Sequence, residues 1–227
     1  MANIPIITID GPSGSGKGTV AYLLAQQLDW HYLDSGALYR VLAYAAQQYD
    51  IEISDTEKLV QLARQLPVTF DVSGAYLKVL LEQHEITQLI RSEQMGNRAS
   101  KIAAIAVIRD ALLARQRAFC QLPGLVTDGR DMGTVVFPEA KYKVFLDADA
   151  AERAKRRHKQ LKEKGIESNL SQLIDEINER DRRDKTRSIA PLVAANDATI
   201  IDSTSLTIDE VLTRIRTICT DTTGAQI

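Results

Sequence analysis

The stretch that decides the fold is Pro5-Ile6-Ile7-Thr8-Ile9-Asp10-Gly11-Pro12-Ser13-Gly14-Ser15-Gly16-Lys17-Gly18-Thr19. An apolar, β-branched run predicts a buried strand, and residues 11–17 then match the phosphate-loop pattern G-x-x-x-x-G-K. Glycines allow backbone N–H groups to turn toward phosphate oxygens, and a helix starting near Lys17 would add its positive N-terminus. The alternative is an ordinary glycine-rich turn, which the lysine disfavours. We therefore predict ATP contacts from Gly11, Pro12, Ser13, Gly14, Ser15, Gly16, Lys17, Gly18 and Thr19.

The loop departs from the usual pattern at one position. The pattern places Ser or Thr directly after the lysine to hold Mg²⁺, whereas this chain has Gly18 there and Thr19 one place later. Asp128, at the end of a predicted strand, could instead serve Mg²⁺ through water, because this ion keeps several waters in proteins. An Asx turn that caps the strand exit is an equally good explanation of Asp128.

The rest of the chain alternates strands and helices. Apolar periodicity predicts helices over 17–28, 36–48 and 208–218, and buried strands over 30–33, 122–128, 142–147 and 199–202. This order predicts an α/β fold with a parallel sheet, as in a P-loop NTPase-type core. Strands at 68–72 and 76–81, joined around Ser73-Gly74, predict a hairpin within an inserted subdomain at 62–100. One long helix is expected over 101–119, and two polar helices over 151–164 and 170–182.

Composition limits the class of protein. With 227 residues, 44% hydrophobic and 26% charged, the chain suits a single domain that carries insertions. Disordered, collagen-like and membrane classes are excluded, since no apolar run approaches the roughly 20 residues of a membrane span. Cys120 and Cys219 fit neither a zinc pattern nor a disulfide framework, so a cytoplasmic protein is expected, and we expect a monomer. A net charge of −2 argues against broad nucleic-acid binding.

Positive charge concentrates in residues 151–187. This segment holds 12 Lys or Arg against 8 Asp or Glu. A helical lid that closes on ATP phosphates would use this charge, and Arg153 and Arg157, four residues apart, would lie on one face to touch the nucleotide. The simpler alternative is a solvated helix pair in which these arginines pair with Glu152 and its neighbours.

Several longer blocks carry a family resemblance. Gly16-Lys17-Gly18-Thr19 is similar to the nucleoside monophosphate kinases. The segments 33–40, 128–138 and 179–184, with Arg187 and Ala190-Pro191-Leu192, resemble the bacterial cytidylate kinase family, and the resemblance runs from about residue 6 to residue 211. It implies ATP-dependent phosphorylation of CMP and dCMP, Mg²⁺ with ATP, a nucleoside-monophosphate-binding insert and a helical lid.

The resemblance also implies residue roles. Asp131 and Arg109, with the hydroxyl of Ser100, would read the cytosine base, and Asp184 would bind the ribose. The acceptor phosphate would be held by Ser35, Arg40, Arg130, Arg180 and Arg187. The groups acting on the transferred phosphoryl would be Lys17, Arg130, Arg180 and Arg187.

The residues support these roles only partly by themselves. Arginine binds phosphate with two parallel hydrogen bonds, but any single arginine could equally be an ion-pair partner at the surface. Asp131 could accept from the cytosine amino group, or it could simply form an ion pair with Arg130 or another neighbour. A kinase for UMP or shikimate, and a nucleotide-gated binding protein that hydrolyses ATP slowly, remain alternatives.

Overall fold

The computed structural model describes residues 4–74, 76–163, 165 and 167–220. Its strands are β1 (Ile6–Asp10), β2 (His31–Asp34), β3 (Val68–Asp71), β4 (Lys78–Leu81), β5 (His84–Glu85), β6 (Leu125–Gly129), β7 (Tyr142–Asp147) and β8 (Thr199–Asp202). Its helices are α1 (Lys17–Leu28), α2 (Ser35–Gln48), α3 (Thr56–Gln65), α4 (Glu93–Ile102), α5 (Ala106–Arg117), α6 (Ala150–Glu163), α7 (Leu170–Thr186) and α8 (Ile208–Thr220).

The predicted α/β class is confirmed by the sheets. Five strands form one sheet in the order β2-β6-β1-β7-β8, and the pairs β2–β6, β1–β7 and β7–β8 are parallel. Both β1 and β6 are buried along their whole length, which explains their continuous apolar runs. The predicted hairpin is also present, because β3, β4 and β5 form a separate antiparallel sheet.

The chain divides into two compact units, which we describe separately. The phosphate-loop unit comprises residues 7–21 and 130–227, and the insert unit comprises residues 1–6 and 22–129. The predicted lid at 151–187 falls in the phosphate-loop unit, and the predicted insert at 62–100 falls in the insert unit. Their roles as lid and acceptor cover stay predictions.

The predicted long helix over 101–119 is wrong. The chain instead forms α4 and α5, separated at residues 103–105. Ser92 caps α4 by accepting from the backbone N–H of Met95, so this helix begins earlier than expected. Ile105 then adopts an extended conformation, and the Ala103 carbonyl accepts from Arg109 Nη1 at 3.0 Å. A side chain thus satisfies a carbonyl at the break between the two helices.

Helices α6 and α7 form a hairpin with an apolar core of its own. Ala154, Leu161, Leu173 and Ile177 are buried together there. Helix α7 runs to Thr186, four residues beyond the predicted end. Glu179 pairs with both Arg182 and Arg183 at helical spacing, which supports the extra turn. Within the described residues, no helix combines the length and the apolar character needed to cross a membrane.

Candidate active site

The predicted phosphate loop joins β1 to α1 and requires glycine at specific positions. Gly16 has φ +93°, a conformation that other residues adopt only with strain. At Gly11 a Cβ atom would lie 2.1 Å from the Leu146 carbonyl oxygen on β7. The first glycine therefore permits close contact with a neighbouring strand, and the later one permits the turn into the helix.

Polar groups of the loop are buried. The Ser15 hydroxyl is inaccessible to solvent and makes no hydrogen bond with any described residue. Lys17 is only 8% exposed, and its Nζ donates to the Pro12 carbonyl at 3.0 Å. Because buried polar groups are nearly always satisfied, an unpartnered hydroxyl in a glycine-rich loop indicates a place for a ligand oxygen.

Asp10, the last residue of β1, lies beside this loop. Its two carboxylate oxygens accept from the backbone N–H groups of Met132 at 2.9 Å and Gly133 at 2.8 Å. Burial raises the pKa of Asp10 to about 6, although these two hydrogen bonds oppose the rise; the charge of Asp131 adds to it and that of Lys17 opposes it. Asp10 thus anchors the turn that follows Asp131. Sequence reasoning assigned it no role, although its place at a strand end was a usable signal.

A cluster of arginines and carboxylates forms a second part of the phosphate-loop unit. Arg130 Nε lies 2.7 Å from Asp184 Oδ2, and Arg187 Nη2 lies 3.9 Å from Asp131 Oδ1. Burial acts to raise the pKa of Asp184, but the charges of Arg130, Arg180 and Arg187 outweigh it and hold this pKa below its usual value. The structure therefore brings together all five predicted residues of this cluster. One ion pair of the cluster joins Asp131 to Arg187, and another joins Arg130 to Asp184.

Arg180 connects this cluster to the phosphate loop. Its Nη1 donates to the Ser13 hydroxyl at 3.2 Å, while its charge also acts on Asp184. The two parts of the predicted site in this unit are therefore contiguous. An anion on the loop would lie within the field of the arginines.

Arg153, predicted to contact ATP, is occupied by protein groups. It is 4% exposed and donates to the Ala148 carbonyl at 2.8 Å, the Ser13 carbonyl at 2.9 Å and Asp181 Oδ2 at 2.5 Å. These bonds tie helices α6 and α7 to the phosphate loop. A contact between Arg153 and ATP stays a prediction, and so does one from Arg157, whose Nη1 reaches Gln160 Oε1 at 3.5 Å. Glu152 pairs with Arg156.

The insert unit holds the other predicted acceptor residues. The buried Ser35 hydroxyl donates to Gln116 Oε1 at 2.8 Å, and Arg40 Nη1 donates to the Ile90 carbonyl at 2.9 Å. The guanidinium of Arg109 lies 5.7 Å from the centre of the Tyr39 ring.

Two further predicted residues of this unit lie at the ends of secondary elements. The Ser100 hydroxyl, near the end of α4, is buried and has no hydrogen-bond partner among the described residues. Asp128, predicted as a carboxylate for Mg²⁺, is buried near the end of β6. It accepts from the Tyr32 hydroxyl at 2.6 Å. Burial and the charge of Asp128 raise the pKa of Tyr32 well above its usual value. The hydrogen bond fixes the orientation of this carboxylate.

Comparison with known proteins identifies the family. The Cytidylate kinase family model matches residues 7–221. The chain belongs to the cytidylate kinase family. It is 58% identical to the cytidylate kinase of Aeromonas salmonicida, with 93% of this chain and 92% of the relative covered. It is 60% identical to that of Nitrosococcus oceani, with 93% and 94% covered. The resemblance seen in the sequence blocks is confirmed.

Sequence reasoning missed supporting residues of this cytidylate kinase family member. Arg156 Nη2 donates to the Ser203 carbonyl at 2.6 Å, and the Ser203 hydroxyl donates to the Ser15 carbonyl at 3.1 Å. Gln116 accepts from Ser35, as described above. Main-chain carbonyl partners leave no mark in the sequence, so nothing distinguished Arg156 from its neighbours on the same helix.

Proposed function

We propose that this protein transfers the γ-phosphoryl group of ATP to CMP, and to dCMP, forming ADP and the corresponding nucleoside diphosphate. The observation that carries the proposal is the contiguity of a phosphate loop and an arginine cluster, made by Arg180 between Ser13 and Asp184. A single nucleotide on such a loop needs about one arginine finger. A set of three arginines, Arg130, Arg180 and Arg187, suits the charge of two phosphorylated substrates.

The acceptor chemistry needs no general base. The second pKa of a phosphate monoester is about 6, so the attacking oxygen is already largely deprotonated at neutral pH. The work of the protein is to position two anions in line and to offset their repulsion. Lys17 supplies this charge from a buried position and the arginines from half-buried ones, where each interaction is stronger than in water.

Carboxylates preorganise the arginines. Asp184 holds Arg130 through its Nε atom, and Asp131 faces Arg187. Arg130 therefore stands in a fixed orientation from which it can present its terminal nitrogens to an acceptor phosphate. A predicted contact from Asp184 to the ribose hydroxyls is compatible with this bond, because a carboxylate has several acceptor sites.

Base selection is assigned to Asp131, Arg109 and Ser100. Asp131 is 2% exposed, so a hydrogen bond from the cytosine amino group to it would form away from water. Uracil presents a carbonyl at that position and would face Asp131 acceptor to acceptor. UMP is therefore a poor alternative acceptor, and shikimate lacks the base altogether.

Mg²⁺ is expected with ATP, and the residues fit an ion held mostly by the substrate. Among the described residues, no group of three or more His, Cys, Asp or Glu side chains could hold a metal by itself. Mg²⁺ commonly uses one or two carboxylates together with phosphates and water. Asp128 is the carboxylate we propose for it, through water. The ion, when bound, would neutralise charge on the phosphate oxygens.

Four further expectations remain proposals. The helices α6 and α7 would close as a lid on ATP, with Arg157 contacting the nucleotide, and the insert over 62–100 would cover the acceptor and exclude water. The protein would act as a monomer. A cytoplasmic location agrees with two cysteines, Cys120 and Cys219, that form no disulfide.

A panel of acceptors tests the proposal. ADP release from ATP and Mg²⁺ would be measured with CMP, dCMP, UMP, AMP, GMP and shikimate, and the diphosphate product would be identified by chromatography. We expect CMP and dCMP to give the highest kcat/KM, with UMP at least tenfold lower. ADP release that does not depend on any acceptor would favour the nucleotide-gated binding protein instead.

A further inference from the structure

The insert unit contains a cavity that the proposed reaction does not use. Its volume is about 500 Å³, and it lies among the start of β2, strand β3 and the end of α5. None of the residues predicted for ATP, CMP or Mg²⁺ lines it. Val68, Thr69, Phe70 and Val72 line it from strand β3 and the residue that follows the strand. The volume is that of a typical site for a small organic molecule.

Four aromatic rings form part of the cavity wall. Trp30, Tyr32, Phe70 and Phe119 all line it. The rings of Tyr32 and Phe70 are 6.3 Å apart, and those of Phe70 and Phe119 are 5.5 Å apart, which are ordinary distances for tilted and edge contacts. These contacts hold the rings in place without a ligand. Phe70 and Phe119 are only half-buried, so part of each ring can still contact a flat ligand ring.

One arginine that lines the cavity has no ion-pair partner among the described residues. Arg115 lines the cavity, and its Nε atom is buried without a hydrogen-bond partner among the described residues. Nor does any carboxylate of the described chain form an ion pair with it. Burial lowers the pKa of Arg115, but an arginine keeps its charge in proteins. The other arginine on this part of α5, Arg117, is exposed to solvent and does not line the cavity.

The charge around Arg115 limits the kind of anion that fits. The cavity is also lined by Asp29, which would repel a ligand with several negative charges. A single arginine paired with one carboxylate satisfies the guanidinium through two parallel hydrogen bonds. A ring attached to that carboxylate would then lie among the aromatic walls.

We propose that this cavity is a binding site for a small planar aromatic carboxylate, with its carboxylate on Arg115 and its ring against Phe70 and Phe119. The cavity is lined by none of the residues proposed for phosphoryl transfer. The proposal therefore stands or falls separately from the cytidylate kinase activity.

Trp30 provides the test, because it is the only tryptophan in the chain and it lines the cavity. Its fluorescence would be followed during titration with sodium benzoate, with benzamide as the uncharged analogue and sodium acetate as a carboxylate without a ring. No nucleotide would be present. We expect a saturable change with benzoate, and binding at least about tenfold weaker for benzamide and for acetate.

Variants locate the site. Arg115→Met keeps the length of the side chain and should weaken benzoate binding at least about tenfold while leaving benzamide unchanged. Arg117→Met, on the same helix, should leave both titrations as in the wild type. Equal binding of benzoate and benzamide by the wild type, or no saturable response to either, would overturn the proposal. If Arg115→Met does not fold, as judged by its thermal melt, the comparison of the three compounds on the wild type still decides.

Discussion

The two units prepare their predicted site residues in different ways. In the phosphate-loop unit, charged side chains are engaged with one another or with the loop: Arg153 with Asp181 and Ser13, and Arg130 with Asp184. In the insert unit, Arg40 donates to the Ile90 carbonyl and Ser35 to Gln116, and the buried Ser100 hydroxyl has no hydrogen-bond partner among the described residues.

The two units therefore differ in the free-energy cost of removing a site residue. Charges held by buried partners are preorganised, but removing one partner leaves another charge stranded in a poorly solvated place. A buried hydroxyl without a partner destabilises the free protein slightly, and a ligand that hydrogen-bonds to it removes this penalty. Substitutions of the ion-paired residues of the phosphate-loop unit should therefore change stability together with activity, whereas Ser100→Ala should affect substrate binding alone.

Replacing Lys17 by alanine should have the largest effect. Lys17→Ala removes a buried cation from the phosphate loop and should lower kcat by about 10²–10³, since a preorganised group that stabilises developing charge contributes on that scale. Its hydrogen bond to the Pro12 carbonyl contributes about 1 kcal/mol, so losing that bond lowers stability by only about this amount. Steady-state rates of ADP release would be compared with those of Lys155→Ala, an exposed lysine on α6. Turnover near the wild-type rate would remove the loop from the mechanism.

Arg153→Met should produce the largest loss of stability. It leaves Asp181, which is 8% exposed, without its ion-pair partner, and it frees the Ser13 carbonyl. Breaking a buried pair in this way costs about 3–5 kcal/mol. Urea unfolding should show this loss, while Arg157→Met, one turn further along α6, should change the free energy of unfolding by less than about 1 kcal/mol. Similar losses for both variants would mean that the contacts of Arg153 are not special.

These two arginines also show which features can be predicted from the sequence and which cannot. The strand β7 (Tyr142–Asp147) and the strand β8 (Thr199–Asp202) were predicted with their observed bounds, because a short β-branched or apolar run bounded by turn residues is a local signal. The phosphate loop was equally visible. Arg153 and Arg157 look alike in sequence, but Arg153 donates to the Ser13 carbonyl of the loop and Arg157 donates to Gln160 on its own helix. Tertiary contacts to main-chain groups separate them.

The break between α4 and α5 has the same explanation. Residues 101–119 have continuous helical spacing of apolar residues, so a single helix was predicted. The side chain of Arg109 captures the carbonyl of Ala103, six residues earlier, at the point where the helices separate. Local propensity carries no information about such a bond.

Asp10→Asn should change the pH dependence of stability. The pKa of Asp10 is about 6 in the folded chain and 3.8 for the ordinary group, because burial disfavours the charged form. A raised folded pKa contributes stability below the unfolded pKa and loses it as pH rises through the folded one. Between pH 4 and pH 7 the wild type should therefore lose up to about 3 kcal/mol that the variant does not lose.

Urea unfolding of both proteins across this pH range measures the difference. The amide of the variant places a donor opposite the Gly133 N–H, which lowers its stability by an amount that does not vary with pH. The informative quantity is therefore how the stability difference between the two proteins changes with pH. Asp209→Asn, at an exposed position of α8, serves as the control. Parallel profiles for the wild type and Asp10→Asn would contradict the raised pKa.

Asp131→Ala should collapse the preference for CMP over UMP. The variant loses the proposed bond from the cytosine amino group and also the repulsion toward the uracil carbonyl, and specificity is the difference of these two terms. A bond to a charged group contributes about 1.5–3 kcal/mol, so kcat/KM for CMP should fall about 10- to 150-fold, and that for UMP much less. An equal fall for both substrates would mean that Asp131 only orients Arg187, 3.9 Å away.

The smallest effect is expected at Ser100. Its hydroxyl is buried and makes no hydrogen bond with a described residue, so Ser100→Ala strands no partner and should leave the free energy of unfolding unchanged or slightly higher. If the hydroxyl binds the cytosine base, a neutral hydrogen bond of about 0.5–1.5 kcal/mol is lost, and KM for CMP should rise about 2- to 10-fold with kcat nearly constant. Steady-state kinetics and urea unfolding would be measured on the same preparations, with Ser171→Ala on the exposed side of α7 as the control. A fall in stability without a change in KM would mean that the Ser100 hydroxyl stabilises the fold and does not bind substrate. The proposed contrast between the two units would then be wrong.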